Sequence, residues 1–592
     1  MSLKRKETYS DRSISMDFKN AVAMKVAEAT GLDVADVSRL VEIPPQEDMG
    51  DFAFPCFTLA KTMHKAPNMI ASELSGSDKL AADWLSKVEA KGPYLNFFVD
   101  RGAYAREILS EVLEAGTDYG RSEEGAGKTV IVEYSSPNIA KPFHVGHAFT
   151  TILGHSLARI YEKLGYKVVR MNHLGDYGTQ FGKLITAYRL WGDEEALEKD
   201  PITELLRIYV KFHEEEKNDP DLTTSARENF KKLEEGCPEE VALWQKFRDM
   251  SLVVFEALYK RMGVTFDNYN GESYYAKMAD EVVSMLKEKN LLVESEGAQV
   301  VDLEEFGVPP CIILKSDGTT IYGTRDIAAI LYRDKTYHFD KNIYVVGIPQ
   351  ALHFKQVFSV LKKAGYACAD KCEHVGFGLV KFQNMKFSTR DGNIVLLEDL
   401  LNESVAKTYE LIKANAEQRN SDMSDEELRE IAEKVGLGAV IYTYVKAGRE
   451  RDIVFSWDTM LDFEGDTAPY LIYTYARTRS ILRKAEQQGF RPVGAKDDLL
   501  RKLNGDEEFA CVKALADLPE AIRKAAASNE PFMVSRAVAG IARAFNRFYN
   551  NCSILGGDDA ELKNARLAMC EAVCDAIETG TYLLGISVVE QM

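Results

Sequence analysis

Residues 129–172 read TVIVEYSSPNIAKPFHVGHAFTTILGHSLARIYEKLGYKVVRMN. The apolar, β-branched run at the start is of the kind buried in parallel sheets. A Pro-punctuated loop follows, then an amphipathic helix from His144 that stops at Gly165, then a second apolar strand, KVVRMN. Strand, crossover helix and strand make a βαβ unit, so a domain with an open α/β sheet is expected to begin near here. Ligands of such sheets lie beyond the carboxyl ends of the strands.

That end of the first strand gathers chemistry. His144-Val145-Gly146-His147 sits where the helix begins, and a helix N-terminus offers unpaired N–H groups and a positive dipole that suit phosphate. Two imidazoles there can stabilise charge developing on a transferring phosphorus, and Gly146 leaves room for a flat base against the backbone. Glu133 on the strand, Asn138 in the loop and Lys141 before the first histidine add an acid, an amide and a cation. On the residues alone, Glu133 reads equally well as a rim carboxylate and Lys141 as a solvated surface charge.

Outward from this unit, EEGAGKTV at 123–130 is a Gly-containing linker. Before it, residues 17–40 have helical apolar spacing and GPYLNFFVDR at 92–101 reads as a strand, which together predict a small mixed α/β domain. After it, charge-rich helices occupy about 180–290. The short strands AQVVDL, CIILK, NIYVVG and HVGFGLV then alternate with helices, which predicts an α/β domain with a helical insertion. From about 401 the periodicity is helical almost throughout, with a capping signal in SDMSDEELREIAEKVG at 421–436, so the last third is expected to be all-α.

The 592 residues carry 73 Lys+Arg against 92 Asp+Glu, a net charge of −19 that on its face repels nucleic acid. The charge is uneven. Residues 191–240 hold 16 acidic and 7 basic side chains, a net of −9, whereas 466–592 hold 17 and 16, a net of −1. An average over unlike segments does not forbid a local electropositive face, and the acidic insertion is expected to face away from any bound phosphate. Nine scattered cysteines read as reduced thiols packed in cores, with no zinc framework. MSLKRKETYSDRSIS at the start is expected to be neither a signal peptide nor a spanning segment, with Met16 a candidate natural start. No run approaches the length that spans a bilayer.

VEYSSPNIAKPFHVGH at 132–147 and NHLGDYGTQFG at 172–182 resemble the signature of the arginyl-tRNA synthetases, a family of class I aminoacyl-tRNA synthetases, with HVGH standing for the family's HIGH motif. PPQEDMGDFAFPCFTLAK at 44–61, IYGTRDIAAILYR at 321–333, IYVVGIPQALHFKQVF at 343–358 and DFEGDTAPYLIYTYARTRSIL at 462–482 are similar to the family in the same order. The resemblance implies an α/β multidomain architecture: an N-terminal additional domain over 1–120, a Rossmann-like catalytic domain over 121–400 with its insertion at about 190–300, a helical connection over 401–465 and an all-α anticodon-binding domain over 466–592. It implies an arginine–tRNA ligase that forms arginyl-adenylate from arginine and ATP, with Mg²⁺ as the nucleotide's partner, and passes it to the terminal 2′-OH of tRNA(Arg). The implied setting is a cytoplasmic monomer without membrane contact, needing tRNA even for activation.

Residue by residue, the resemblance gives His144, Gly146 and His147 to ATP and its transition state. Glu133, Tyr322 and Asp326 go to the arginine guanidinium, and Asn138 and Gln350 to its α-amino and carboxylate end. A planar five-donor cation asks for carboxylates in fork geometry, which would exclude lysine; helix capping is the local alternative for Tyr322 and Asp326. The family's KMSKS loop corresponds to Lys386-Phe387-Ser388-Thr389-Arg390, so Lys386 and Ser388 match while Thr389 replaces a lysine, and Lys141 or Arg390 is expected to supply the missing charge to ATP. Pro349 stands where the family often has glutamine. For tRNA, Tyr94 and Asn96 are implied at the D-loop, a stacking ring beside an amide. In the C-terminal domain, Tyr470, Arg477, Arg479 and Arg547 belong to an interleaved set of aromatics and cations. The alternatives are a small-molecule nucleotidylyltransferase and a silent tRNA-binding paralogue.

Overall fold

The computed structural model describes residues 18–383, 395–418 and 422–592. The chain opens with helices Phe18–Thr30 and Val34–Leu40 against a three-stranded antiparallel sheet of β1 (Phe52–Pro55), β2 (Leu85–Lys91) and β3 (Tyr94–Val99), in the order β1-β3-β2. Alternation along the central strand sends Leu95, Phe97 and Val99 into the core with Phe18 and Val22, which puts Tyr94, Asn96 and Phe98 on the other face.

The α/β domain is built on β4 (Thr129–Glu133) and β5 (Lys167–Met171), joined by the helix Val145–Lys163 as the sequence predicts. Val130, Ile131 and Val132 are all buried, as a strand covered on both faces requires. Helices from Glu194–Lys199 to Ala279–Glu288 form the insertion, the longest being Pro238–Met262. One expectation fails after it. β6 (Leu292–Ser295), β7 (Ala298–Val301) and β8 (Cys311–Leu314) form a separate antiparallel meander with no α-helix between its strands, so AQVVDL and CIILK do not alternate with helices as expected. The parallel sheet takes β9 (Lys341–Val345) and β10 (Cys372–Val375) instead, in the order β10-β9-β4-β5.

A second departure lies beyond 401, where β12 (Ile453–Phe455) interrupts the helices to pair in parallel with β11 (Val380–Phe382). The remaining helices form the expected all-α unit, and its last helix, Ala560–Leu584, locks onto the catalytic domain. Ser156 Oγ donates to the Leu583 carbonyl and Arg159 Nη1 to that of Tyr582, while Thr579 Oγ1 donates to Thr117. Among the described residues no helix is long and apolar enough to cross a membrane.

Candidate active site

The loop that leaves β4 is strained, and its strain is held in place by the insertion. Ser135, Ser136 and Ala140 have φ of 70°, 45° and 61°, left-handed values that cost non-glycine residues about 1–3 kcal/mol each. Ser135 N–H donates to Thr150 Oγ1 and Ser136 N–H to Asn172 Oδ1. Ala140 N–H reaches Ser251 Oγ on the helix Pro238–Met262. From the same helix the buried Tyr259 hydroxyl lies 2.7 Å from Ser135 Oγ and accepts from Asn172 Nδ2 at 3.1 Å. Tyr259→Phe removes both bonds while keeping the ring; we expect it to destabilise the catalytic domain by about 1–3 kcal/mol, read as a lower melting midpoint, with an unchanged midpoint contradicting this role.

The loop delivers the two histidines to the start of the helix Val145–Lys163. Their rings stack with centroids 3.8 Å apart. His144 Nδ1 accepts from the Gly146 N–H at 3.0 Å, and His147 Nδ1 accepts from the His144 N–H at 3.2 Å. A neutral imidazole that accepts at one nitrogen carries its proton on the other, so both rings are fixed with N–H at Nε2. A Cβ on residue 146 would come within 2.9 Å of the His144 ring; glycine here makes room for that folded-back imidazole. Burial holds both rings neutral: His144 is lowered by desolvation and then by Lys141, and His147 is lowered to about 3 by desolvation, then by His144 and Lys141. A histidine lowered on folding stabilises the fold above its unfolded pKa, near 6.5, and loses that contribution as pH falls toward its folded value. The protein is therefore expected to lose stability as pH falls from about 6.5 toward 3, and His147→Asn to flatten part of that decline in melting experiments; an unchanged slope would contradict it.

The helix Tyr322–Tyr337 supplies the acidic side of the site. Tyr322, Asp326 and Arg333 lie at i, i+4 and i+11, one face of the helix. The capping alternative is not what forms, because the N-cap is Ile321 with no side-chain bond and Thr324 Oγ1 donates to the Ile313 carbonyl across the domain. Asp326 Oδ2 lies 2.6 Å from His353 Nε2. Tyr322 is 58% exposed with its ring 4.8 Å from that of His353. Glu133, expected to meet a guanidinium, already holds a resident one: its Oε2 lies 2.5 Å from Arg333 Nη2, and Arg333 is 0% exposed. His173 Nδ1 stands 3.9 Å from the same oxygen, and Arg325 pairs with Glu272 at 3.1 Å. Arg333, His173, His353 and the Arg325–Glu272 pair were not singled out from the sequence; the helical spacing of Arg333 from Asp326 was the available signal.

Asn138 lies against the loop after β5, where its backbone bridges to Gly175. A Cβ on residue 175 would sit 2.2 Å from Asn138 Oδ1, so glycine is what admits the amide. Gln350 is exposed on the turn Ile348–Gln350 that follows β9, the neighbour of β4. Lys386, Ser388 and Arg390 lie outside the described residues. Val395, where description resumes, accepts from the Val145 N–H, and Leu397 N–H donates to Phe143.

Tyr94 and Asn96 sit on one face of β3. The Tyr94 ring is edge-on to Phe57 at 5.9 Å, and Asn96 is 1% exposed with neither side-chain polar atom bonded to a described group. The C-terminal set divides. Tyr470 and Arg477 line a cleft of about 550 Å³ together with Tyr473, Asn546 and Met592. There the Arg477 guanidinium lies 4.7 Å from the ring centroids of both Tyr473 and Tyr549 and donates to Asn546. Arg479 and Arg547 are elsewhere, paired with Glu590 at 2.8 Å and Glu507 at 2.7 Å.

Comparison with known proteins gives three family matches: "tRNA synthetases class I (R), catalytic domain" over 108–457, "DALR anticodon binding domain" over 471–592 and "Arginyl tRNA synthetase N terminal domain" over 16–99. The chain is 54% identical over 577 residues to the arginine–tRNA ligase of Clostridium perfringens, covering 98% of this chain and 100% of that one. Among solved structures, the arginyl-tRNA synthetase of Thermus thermophilus aligns with a TM-score of 0.78 at 26% identity, covering 98% of this chain and all of the other. That of Plasmodium falciparum aligns at 0.77 and 23% identity over 98% and 99%, a likeness of fold.

Proposed function

This chain belongs to the arginyl-tRNA synthetases of class I, and from that membership we propose how its own side chains carry the reaction. Its activity is that of an arginine–tRNA ligase, with arginine, ATP and tRNA as substrates. Domain matches at both ends of the chain leave no place for a small-molecule nucleotidylyltransferase.

One observation carries the proposed mechanism: two neutral imidazoles, each with its proton fixed on Nε2, stand at a helix N-terminus beyond the carboxyl end of β4. Neutral N–H donors at that point can follow an α-phosphate into its five-coordinate transition state, strengthening as charge builds on its oxygens. Lys141, near both rings, contributes the positive charge that Thr389 does not. Lys386, Ser388 and Arg390 belong to the same ATP site in this proposal. Glu133, Tyr322 and Asp326 receive the arginine guanidinium in this proposal, Glu133 doing so from its ion pair with Arg333. Asn138 and Gln350 hold the α-amino and carboxylate end, and the 2′-OH of the terminal adenosine then attacks the activated carbonyl.

Mg²⁺ enters as the partner of the ATP phosphates, where it would neutralise charge; no group of three or more His, Cys, Asp or Glu side chains gathers among the described residues to hold a metal by protein ligands alone. Tyr94 and Asn96 are the proposed D-loop contacts, the buried Asn96 amide meeting a base only once its cover moves, and the Tyr470/Arg477 cleft supports binding of anticodon bases by stacking. The proposed domain limits are 1–120, 121–400, 401–465 and 466–592, and the proposed state is a cytoplasmic monomer.

Two measurements test this part. Arg477→Ala removes a cation stacked between two rings and should raise the KM for tRNA by roughly tenfold with the KM for arginine unchanged; an unchanged tRNA KM would remove the cleft from the interface. ATP–pyrophosphate exchange with arginine should be slow until tRNA is added, and brisk exchange without tRNA would contradict the proposed tRNA requirement.

A further inference from the structure

The insertion helix Pro238–Met262 bears on two loops around the site. Its Trp244, Arg248, Ser251 and Tyr259 lie at i, i+4, i+7 and i+15, one face of the helix. Ser251 and Tyr259 hold the loop that leaves β4. Trp244 and Arg248 hold a different segment, the loop after β5, and both do so through Asp176.

Asp176 is fastened at both its side chain and its backbone. The side chain is 0% exposed. Its Oδ2 accepts from Arg248 Nε at 3.2 Å and from Ser273 Oγ at 2.9 Å, and its Oδ1 accepts from the Ser273 N–H at 2.9 Å. The Asp176 carbonyl accepts from Trp244 Nε1 at 2.7 Å. A Cβ on residue 271 would come within 2.5 Å of Asp176 Oδ1, so Gly271 is what admits the carboxylate. Burying a carboxylate this completely is costly unless donors and a counter-charge compensate it, and Ser273 and Arg248 supply them.

The consequence falls on the residue before it. The Gly175 N–H donates to the Pro137 carbonyl at 3.1 Å, and the Gly175 carbonyl accepts from the Ile139 N–H at 3.2 Å. The main chain on either side of Asn138 is thus bonded to one residue, whose neighbour is clamped. We propose that Asp176 is a positioning residue for the amino-acid substrate: its buried anchorage to Arg248 and Ser273 fixes Gly175, and Gly175 sets the Asn138 amide against the α-amino and carboxylate end of arginine. This inference rests on the reading that Asn138 holds that end. It gives the insertion a part in placing the amino acid, through a carboxylate that is itself sealed from solvent.

Asp176→Asn keeps the shape of the side chain, but whichever way the amide turns, its NH2 faces an N–H donor of Arg248 or of Ser273. In pyrophosphate exchange run with tRNA it should raise the KM for arginine about tenfold and leave the KM for ATP within about twofold. A general loosening of the domain would raise both, and equal rises, or an arginine KM that does not move, overturn the proposal. A cycle with Asn138→Ala is the sharper readout, because residues that act through one another are not additive. Asn138→Ala should itself raise the arginine KM, and adding Asp176→Asn to it should change that KM by less than about twofold. Effects that multiply overturn the proposal, since Asp176 would then act elsewhere. An arginine KM unmoved by Asn138→Ala also overturns it, by removing the reading beneath it, and that single variant tells the two failures apart. Where melting curves show that Asp176→Asn does not fold, Ser273→Ala takes its place in the cycle: it removes one of the three donors, keeps the charge pair and should raise the arginine KM about threefold, and no rise overturns the proposal.

Discussion

Asp326→Ala is expected to raise the KM for arginine by about two orders of magnitude while leaving the KM for tRNA within about twofold. Removing one partner of a desolvated charge pair costs about 2–5 kcal/mol, and each 1.4 kcal/mol is a factor of ten. The change should fall on arginine alone, because the carboxylate is on the helix Tyr322–Tyr337 and contacts His353, whereas the Tyr470/Arg477 cleft lies in the C-terminal helices. His353→Asn provides a milder companion, since it disturbs the orientation of Asp326 without removing its charge. Equal loss of arginine and tRNA recognition in Asp326→Ala would refute the assignment.

His147→Ala is expected to lower kcat for adenylate formation by about 10²–10³-fold, the usual effect of deleting one preorganised donor to a developing oxyanion. Two effects add in the same direction. The Nε2–H donor is lost, and the His144 backbone N–H loses its acceptor at 3.2 Å, so the reciprocal arrangement that fixes the neighbouring ring is broken. His147→Asn separates the two, because an amide can still accept from the His144 N–H; it should recover order in the turn but not the rate. Pyrophosphate exchange measured in the presence of tRNA reads the step directly, and a loss confined to the ATP KM would mean that the ring binds the nucleotide without assisting its reaction.

The parts of this molecule that could be read from sequence are those whose physics is local. A run such as TVIVE, buried on both faces, declares a parallel strand, and HVGH declares a helix start with polar groups on it. Tyr322 and Asp326 are named through the resemblance of residues 321–333 to the family, and their i, i+4 spacing on one helix face is what the structure adds. What failed was long-range. AQVV and CIIL look like any short apolar strand, and nothing within them tells a parallel sheet from an antiparallel meander; that depends on partners. Arg477, Arg479 and Arg547 are alike in sequence, yet Arg479 and Arg547 are taken by Glu590 and Glu507, residues 111 and 40 positions away. Glu133 could be placed at the right end of the right strand, but its ion pair with Arg333 joins residues 200 apart in the chain. Charge bookkeeping in a pocket needs the fold first. The same holds for the −19 of the whole chain, which carries no information about the charge of any one site.

The central claim is tested most directly by offering the purified protein total tRNA, ATP and each of the twenty amino acids separately and measuring aminoacyl-tRNA formed. Arginine alone should yield charged tRNA, with lysine rejected despite its equal charge because a point cation does not fill a site shaped for a planar fork. Absence of arginyl-tRNA, or charging with another amino acid at a comparable rate, would contradict the account.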